Sequence, residues 1–216
     1  MIDLIYCAGS NKRLMTIAQS AGFLLGIRSD KCAYDFPMAF IDIEYRKSDF
    51  IKHLEIVQQY RPKYAIVPDL SAINVSQHDN ERALMHYWQL APYCEIPLIV
   101  PKLPGQLAYF PDFVAVAYSI PSTYGGARYG LHELSGRMVH LLGGNPEQQH
   151  RIARWIRQYN ATVISVDGNM AQKLAQKAVY WNGTWKHHEK KGSHETDLMY
   201  ECWQRSCQHI VASWRS

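Results

Sequence analysis

Carboxylates follow several short apolar segments of this chain, and their chemistry is the first clue to function. Asp167 ends the apolar segment Thr162–Val166, and Asp69 and Asp30 follow two earlier segments of the same kind. If these segments are parallel strands, their carboxyl ends meet at one edge, where α/β barrels carry their active sites. Carboxylates so close together repel one another, so we expect perturbed pKa values and a role in nucleophilic or acid–base chemistry.

The same residues also have purely structural interpretations. Asp167-Gly168-Asn169 is a good turn tripeptide, and Asp69 fits the N-cap of whatever follows it. Gly143-Gly144 is either a tight loop or a pair of backbone N–H groups that hold a phosphate or a purine edge. These alternatives stay open at the level of the sequence.

The segment from Met138 to Met170 predicts the element that would position Asp167. An apolar strand leads into Gly143-Gly144-Asn145-Pro146, and a helix and a second strand follow. Asn145 suits the N-cap of the helix, and Pro146 suits its first turn. Two strands joined by a helix form a right-handed βαβ unit, which puts both strand ends on the same side of the sheet.

Short apolar segments predict eight strands, mostly separated by helices. The strands are Asp3–Tyr6, Phe23–Gly26, Ala39–Ile43, Tyr64–Val67, Leu98–Val100, Val114–Ala117, Val139–Leu142 and Thr162–Val166. The helices are Lys12–Ser20, Phe50–Tyr60, Glu81–Leu90, Pro146–Tyr159, Ala171–Val179 and Thr196–Trp214. This α/β pattern predicts a compact, partly irregular, TIM-like (β/α)8 barrel, since several connections are short. A doubly wound open parallel sheet is the alternative.

Composition predicts one soluble domain. The 216 residues, 47% hydrophobic and 19% charged, suffice for a single core over residues 1–216 that ends in a helix at about 194–214. No apolar run approaches the roughly 20 residues that span a bilayer, so no membrane contact is expected. Five cysteines without a regular spacing favour reduced thiols and a cytoplasmic location. The net charge of +4 permits a polyanionic partner without requiring one.

Neither a metal nor a cofactor is predicted. The chain has no Cys-x-x-Cys pair, Walker loop, Gly-x-Ser-x-Gly elbow or His-Glu-x-x-His helix. Histidines and cysteines are frequent near the carboxyl terminus, but their spacing is not that of a structural zinc site. Those residues are His187, His188, His194, Cys202, Cys207 and His209.

The block from Val139 to Asp167 resembles the tRNA-guanine transglycosylase superfamily. In that family a strand ending in Met-Gly-Val-Gly-Thr-Pro precedes a helix and a strand that ends on the nucleophilic aspartate. Here Leu142-Gly143-Gly144-Asn145-Pro146 and Asp167 occupy the matching places. The chain looks most like the short phage and bacterial relatives that place 7-deazaguanines in DNA. It lacks the zinc-binding cysteine cluster and much of the length of the tRNA enzymes, which argues against a metal and against tRNA.

This resemblance implies a base exchange and assigns roles to several residues. Asp167 would attack C1′, displace guanine and form a covalent glycosyl-enzyme, which an incoming 7-deazaguanine then resolves. Asp69 would hold the Watson–Crick edge of the purine, and Asp30 would be the acid–base partner. Substrate contacts are expected from Gln106 and from two glycine pairs, Gly125-Gly126 and Gly143-Gly144.

A DNA substrate implies further contacts and leaves two other functions open. The target base must be flipped out of a duplex or lie in a single strand. Phosphate contacts are expected from Lys12, Arg13, Arg128, Lys186, Lys190 and Lys191, and base stacking from Tyr124 or Tyr129. A homodimer or a helper protein would be compatible with this function. The alternatives are a non-catalytic nucleic-acid or purine-binding module and a hydrolase or lyase of a small nucleoside or sugar.

Overall fold

The computed structural model describes residues 1–7, 11–31, 36–123, 125–188 and 195–215 of the chain. Eight strands form its main sheet: Asp3–Cys7 (β1), Leu24–Arg28 (β2), Phe40–Asp42 (β3), Tyr64–Ile66 (β4), Ile96–Leu98 (β5), Val116–Ser119 (β6), Met138–Leu142 (β7) and Thr162–Asp167 (β8). The α-helices are Lys12–Ala21 (α1), Phe50–Tyr60 (α2), Gln77–Leu90 (α3), Pro146–Ile156 (α4), Met170–Ala175 (α5) and Glu195–Arg215 (α6). A two-stranded hairpin, Val179–Trp181 (β9) and Trp185–His187 (β10), precedes α6.

The main sheet is an all-parallel, nearly closed barrel. Its strands lie in the order β5-β4-β3-β2-β1-β8-β7-β6, so neighbours in sequence are neighbours in space. Just beyond β5, Ile99 forms a parallel bridge with Val116 of β6 and joins the two edges. The predicted TIM-like barrel is confirmed, and the doubly wound alternative is excluded because the order never reverses around a switch point.

The predicted irregularity lies in the connections. Between β5 and β6 the helical structure is limited to the 3-10 turn Gln106–Tyr109. In the described part of the connection from β6 to β7 it is limited to the 3-10 turn Leu131–Leu134. The described part of the connection from β2 to β3 holds the 3-10 turn Ser29–Lys31. The two later connections contain proline and glycine residues, such as Pro104-Gly105 and Gly125-Gly126, which disfavour the full helix that regular barrels place there.

Capping side chains explain where the helices begin. The Asn145 side chain accepts a hydrogen bond from the Gln148 N–H at 2.8 Å, and Gln148 Oε1 accepts one from the Asn145 N–H at 3.0 Å. This reciprocal capping box confirms the predicted start of α4. Helix α3 begins four residues before its predicted start because the Ser76 side chain caps it, accepting from the Asp79 N–H at 3.3 Å.

Apolar side chains fill both the barrel and the layer around it. Inside lie Ile5, Phe40, Ile43, Tyr64, Ile66, Leu98, Val100, Ala115 and Ala117. Outside, α6 packs across α1: its buried Trp203 lies 4.8 Å from the Tyr6 ring and donates a hydrogen bond to the Leu14 carbonyl at 3.0 Å. Among the described helices, none combines the length and the apolar character needed to cross a bilayer.

His53 is a buried histidine on α2 whose ring nitrogens lack hydrogen-bond partners within the described part of the chain. It has no exposed surface, and neither ring nitrogen makes a well-formed hydrogen bond to any described residue. Burial lowers the pKa of His53 to about 4, and the nearby Ile66 backbone offsets this only in part. The native state therefore holds this imidazole uncharged at neutral pH.

This environment predicts a pH-dependent stability. Between pH 6.5 and pH 4, His53 is protonated in the unfolded chain but stays neutral in the native state. The free energy of unfolding should therefore fall as pH drops through this window. The loss is on the order of 3 kcal/mol, at about 1.4 kcal/mol per pKa unit. Urea unfolding at pH 7 and pH 4.5 measures it. His53→Leu should flatten the slope, and the exposed control His78→Leu should keep it; an unchanged slope in His53→Leu would refute this origin.

Candidate active site

Two adjoining cavities open at the carboxyl end of the barrel, where the strand ends converge. The smaller, of about 250 Å³, is lined by Asp69 and Lys102, and the larger, of about 400 Å³, by Arg28 and Asp167. Both are bordered by Asp42, Ile43 and Tyr45. Two of the carboxylates predicted to share one rim, Asp69 and Asp167, therefore line one composite site, whereas Asp30 lines neither cavity.

Asp167 ends β8 at the wall of the larger cavity, where its side chain is mostly buried. Its Oδ1 accepts a hydrogen bond from the Gly143 N–H at 2.8 Å and lies 3.3 Å from His140 Nε2. Its Oδ2 accepts none from the described residues. Asp167 is thus held in place through Oδ1.

Hydrogen bonds from one side chain connect the loop after β7 to the end of β8 at Asp167. The Gln149 side chain donates to the carbonyls of Gly143, at 2.9 Å, and of Asp167, at 2.6 Å. Gly144 has φ +77°, and a Cβ there would lie 2.8 Å from Ile120. Gly143 and Gly144 therefore hold Asp167 in place, and their direct contact with substrate stays a prediction.

Asp42 ends β3 and borders the larger cavity together with Asp167, which is the neighbouring charge with the largest effect on the pKa of Asp42. Burial, with a smaller contribution from the neighbouring charge of Asp167, raises the pKa of Asp42 to about 8. The Ile43 N–H, which donates to Asp42 Oδ1 at 2.8 Å, lowers the pKa and offsets part of this rise. At neutral pH Asp42 is therefore a neutral acid beside a second carboxyl group. Enzymes commonly use two carboxyl groups with different pKa values, one as the acid and the other as the nucleophile.

Asp30, the predicted acid–base partner, is instead engaged with Arg28. The guanidinium donates to both Asp30 oxygens, at 2.9 and 2.6 Å, and also pairs with Glu44 at 2.6 Å. The hydrogen bond from Arg28 lowers the pKa of Asp30, which favours its charged form. A carboxylate held in this form is a poor proton donor, so the geometry supports Asp42 in the acid–base role in place of Asp30.

The smaller cavity has a charge pair in its wall. Asp69 Oδ2 and Lys102 Nζ lie 2.7 Å apart, and both side chains are largely buried. Asp69 thus lines the site as predicted, but beside a cation that was not assigned a role. Together they present an acceptor next to a donor.

Gln106 supports this wall from behind and does not contact the cavity. It has no exposed surface, its Oε1 accepts from the backbone N–H groups of Lys102 and Leu103, and its Nε2 donates to the Ser71 carbonyl. Its amide is therefore fully used within the protein. The prediction that Gln106 touches the substrate is wrong for this structure; it ties the loop after β4 to the loop after β5.

The second predicted glycine pair does border the smaller cavity. Gly125 and Gly126 have φ values of +117° and +136°, and a Cβ on Gly126 would lie 2.7 Å from Pro121. Tyr124 lies outside the described residues. Tyr129 is buried against Tyr118, so it cannot stack on a base as predicted.

The predicted phosphate-binding residues do not all lie together. Arg128 is exposed and near the site, because its backbone N–H donates to the Lys102 carbonyl at 2.8 Å. Lys12 and Arg13 begin α1, where Arg13 stacks on Tyr200 and lies 3.8 Å from Asp197. Lys186 is exposed on β10. Lys190 and Lys191 lie outside the described residues.

Four residues of the site were not assigned by the sequence analysis: Asp42, Lys102, Arg28 and His140. Asp42 and His140 each had a signal, a charged or polar side chain inside an otherwise apolar strand. In the described parts of the chain, no group of three or more His, Cys, Asp or Glu side chains is arranged to bind a metal ion.

The Asp69–Lys102 pair predicts a measurable stability effect. Lys102→Met leaves Asp69 buried without its partner, so we expect about 3 kcal/mol less unfolding free energy, as for other broken buried pairs. The matched control is Arg82→Met, whose pair with Asp79 is exposed and should contribute less than about 1 kcal/mol. Urea unfolding compares the two. Equal losses would show that the pair in the cavity wall is not a buried one.

Comparison with known proteins adds the following to this geometry. Residues 18–215, nearly the whole chain, match the sequence model of a protein family described as a family of unknown function (DUF6610). No curated protein matches the chain.

Proposed function

Because this chain belongs to the DUF6610 family, whose function is unknown, we propose its activity from the site itself: it is a base-exchange transglycosylase. It replaces guanine in DNA with a 7-deazaguanine derivative through a covalent aspartyl-glycosyl intermediate. One observation carries the proposal. At the mouth of the barrel, the oriented carboxyl group of Asp167 and the proton-retaining carboxyl group of Asp42 border one cavity.

The two carboxyl groups account for both the bond changes and the proton transfers of the proposed exchange. Oδ2 of Asp167 attacks C1′ while the C1′–N9 bond breaks, and the electron pair of that bond goes to the departing guanine. Asp42 gives its proton to the guanine and becomes a carboxylate. It then removes the proton from the incoming base, which attacks C1′ and releases Asp167. Covalent double displacement by a carboxylate with an acid–base partner is the logic of retaining glycosidases.

The donor and acceptor in the wall of the smaller cavity favour a guanine-like base as the ligand. The Watson–Crick edge of guanine has an acceptor, O6, beside two donors, N1–H and the amino group. Lys102 and Asp69 present the complementary donor and acceptor 2.7 Å apart. Adenine has the reverse pattern and would leave both charges unmatched, at a cost that grows with burial. A cavity of about 250 Å³ also suits a ligand smaller than those that fill the usual pockets of about 300–1,000 Å³.

Nucleoside mass spectrometry tests the proposal directly. Single-stranded DNA, duplex DNA and tRNA are each incubated with the protein and isotope-labelled 7-deazaguanine bases, then digested to nucleosides. We expect label in DNA, with one guanine released for each base incorporated. Unchanged DNA across the candidate bases would refute base exchange. Binding without turnover, with an affinity that falls steeply as salt rises, would favour a non-catalytic nucleic-acid module.

A second candidate function is hydrolysis of a free nucleoside or small sugar. It is favoured by one observation: Arg13 is already engaged with Tyr200 and Asp197, and of the described basic residues expected to bind DNA, Arg128 is the one tied to the wall of the site. The same carboxyl groups would serve, with water in place of the incoming base. Turnover of free nucleosides, without DNA binding at low salt, would distinguish this activity.

A further inference from the structure

His140, on β7, is a fully buried polar side chain in a mostly apolar barrel interior. Its neighbours in the strand, Val139 and Leu141, belong to the outer apolar layer, so the alternation of β7 turns His140 inwards. There its ring is stacked on Phe40, with ring centroids 5.1 Å apart and planes inclined by 26°. An imidazole buried in this way is costly unless its ring nitrogens are hydrogen-bonded.

Both ring nitrogens of His140 lie against polar side chains of β8. The strand register pairs His140 with Ser165, and Ser165 and Asp167 share a face of β8 because they are two residues apart. Nδ1 lies 2.8 Å from Ser165 Oγ, and Nε2 lies 3.3 Å from Asp167 Oδ1. Ser165 is fully buried and Asp167 is largely so, and solvent therefore competes little for either contact.

The direction of these two hydrogen bonds follows from the chemistry of Asp167. A carboxylate offers only acceptor oxygens, so the contact at 3.3 Å needs its proton on Nε2 of His140. A neutral imidazole has one such proton, which leaves Nδ1 as an acceptor, and Ser165 must then donate its hydroxyl proton to Nδ1. The opposite tautomer would set an unprotonated Nε2 against a carboxylate oxygen, where two buried acceptors repel each other.

We propose that His140 is a positioning residue for Asp167: it donates from Nε2 to Oδ1, and Ser165 fixes this tautomer by donating to Nδ1. The Gly143 N–H donates to the same Oδ1 at 2.8 Å. One donor therefore comes from β7 and the other from the loop that follows β7. Two donors on one oxygen restrict the rotation of the carboxylate about its own axis.

The consequence for catalysis rests on the proposed function. In the proposed reaction Oδ2 of Asp167 attacks C1′, so Oδ1 becomes the carbonyl oxygen of the glycosyl ester. Hydrogen bonds to a charged oxygen are stronger than those to a neutral one, so both donors favour the free carboxylate over the ester. His140 therefore keeps the covalent intermediate from accumulating and helps the incoming base to release Asp167.

Imidazole nitrogen NMR tests the tautomer whether or not the protein exchanges bases. The full chain is labelled with ¹⁵N-histidine, and long-range ¹H–¹⁵N correlations are recorded at neutral pH, with His140→Phe used to assign the signals. We expect a protonated Nε2 and an unprotonated Nδ1 that accepts a hydrogen bond. A protonated Nδ1, either alone or in an imidazolium, would overturn the proposal.

Ser165→Ala tests the hydrogen bond that fixes the tautomer. It removes the donor, so the Nδ1 signal of His140 should move towards that of an imidazole nitrogen without a hydrogen bond. The matched control is Ser206→Ala, which changes another fully buried serine, on α6, and should leave the His140 signals unchanged. An unmoved Nδ1 signal in Ser165→Ala would show that Ser165 is not the donor and would contradict the proposal.

Two substitutions of His140 separate positioning from packing. His140→Gln keeps an N–H donor, whereas His140→Phe keeps a ring and loses the donor. After acid quench with DNA and no incoming base, we expect the ratio of covalent adduct to free protein to rise about tenfold in His140→Phe and to stay near the wild-type value in His140→Gln.

The control for this experiment is His53→Phe, which changes another fully buried histidine, on α2, and should keep the wild-type ratio. An adduct ratio that does not rise in His140→Phe would overturn the role of His140 at Asp167. If the tautomer is as expected but the wild type forms no adduct and never modifies DNA, only the proposed function fails.

Discussion

Replacing Asp167 with asparagine is expected to abolish base exchange while the barrel stays folded. The asparagine side chain can still accept the Gly143 hydrogen bond, so the loop after β8 keeps its place. It cannot form the glycosyl ester, because an amide oxygen is a poor nucleophile and lacks the negative charge. We expect a loss on the order of 10⁴- to 10⁶-fold, as for the removal of essential covalent catalysts elsewhere.

The measurement is label incorporation into DNA, together with trapping of the protein–DNA adduct by acid quench. Asp167→Asn should show neither incorporation nor adduct, with an unfolding midpoint close to that of the wild type. Asp112→Asn is the matched control, since Asp112 is an exposed carboxylate whose side chain is 95% accessible. Full activity in Asp167→Asn would exclude Asp167 as the nucleophile.

Asp42→Asn is expected to have the second largest effect, and to move activity and stability in opposite directions. Base exchange should fall by roughly 10²- to 10⁴-fold, the usual contribution of a positioned acid–base group. In the wild type the rate should decline as pH rises through about 8, since Asp42 then loses the proton that the leaving guanine needs. That alkaline limb should disappear in the variant.

Stability should follow the opposite course because the pKa of Asp42 is raised in the native state. Above about pH 4 the unfolded chain has released a proton that native Asp42 keeps, so the free energy of unfolding falls as pH rises from about 4 to 8. Asp42→Asn removes this cost and should be more stable than the wild type at pH 8, with Asp112→Asn unchanged. A variant less stable than the wild type at pH 8 would argue that Asp42 is not a buried, protonated acid.

Local sequence signals were sufficient for the elements that carry the site. Apolar runs marked the strands, and Asn145-Pro146 marked the start of α4, because capping and proline effects act within one turn of the chain. Asp167 followed from the same logic, since it comes directly after a strand whose direction the βαβ unit dictates. The TIM-like barrel followed from the number and alternation of these elements.

The choice among carboxylates depended on tertiary contacts. Asp30 and Asp42 both follow or end a strand, yet Asp30 turns to Arg28, whereas Asp42 shares the inward face of β3 with Phe40, two residues before it. Gln106 has a side chain that could bind a substrate, but its amide oxygen and nitrogen are both hydrogen-bonded to the backbone of loops. Strand pleat and loop packing decided these outcomes, and neither can be seen in a window of neighbouring residues.

From the sequence alone one can thus predict the eight strands, the start of α4, the barrel class and the position of Asp167 at the end of a strand. These follow from local patterns of apolar, capping and turn residues and from the order of the elements along the chain. Only the tertiary structure decided that Lys102 pairs with Asp69, that Asp42 keeps its proton, and that His140 lies 3.3 Å from Asp167. Those contacts join residues far apart in the chain through strand register and burial. The distances between these groups determine their protonation states, and the groups become neighbours only when the barrel folds.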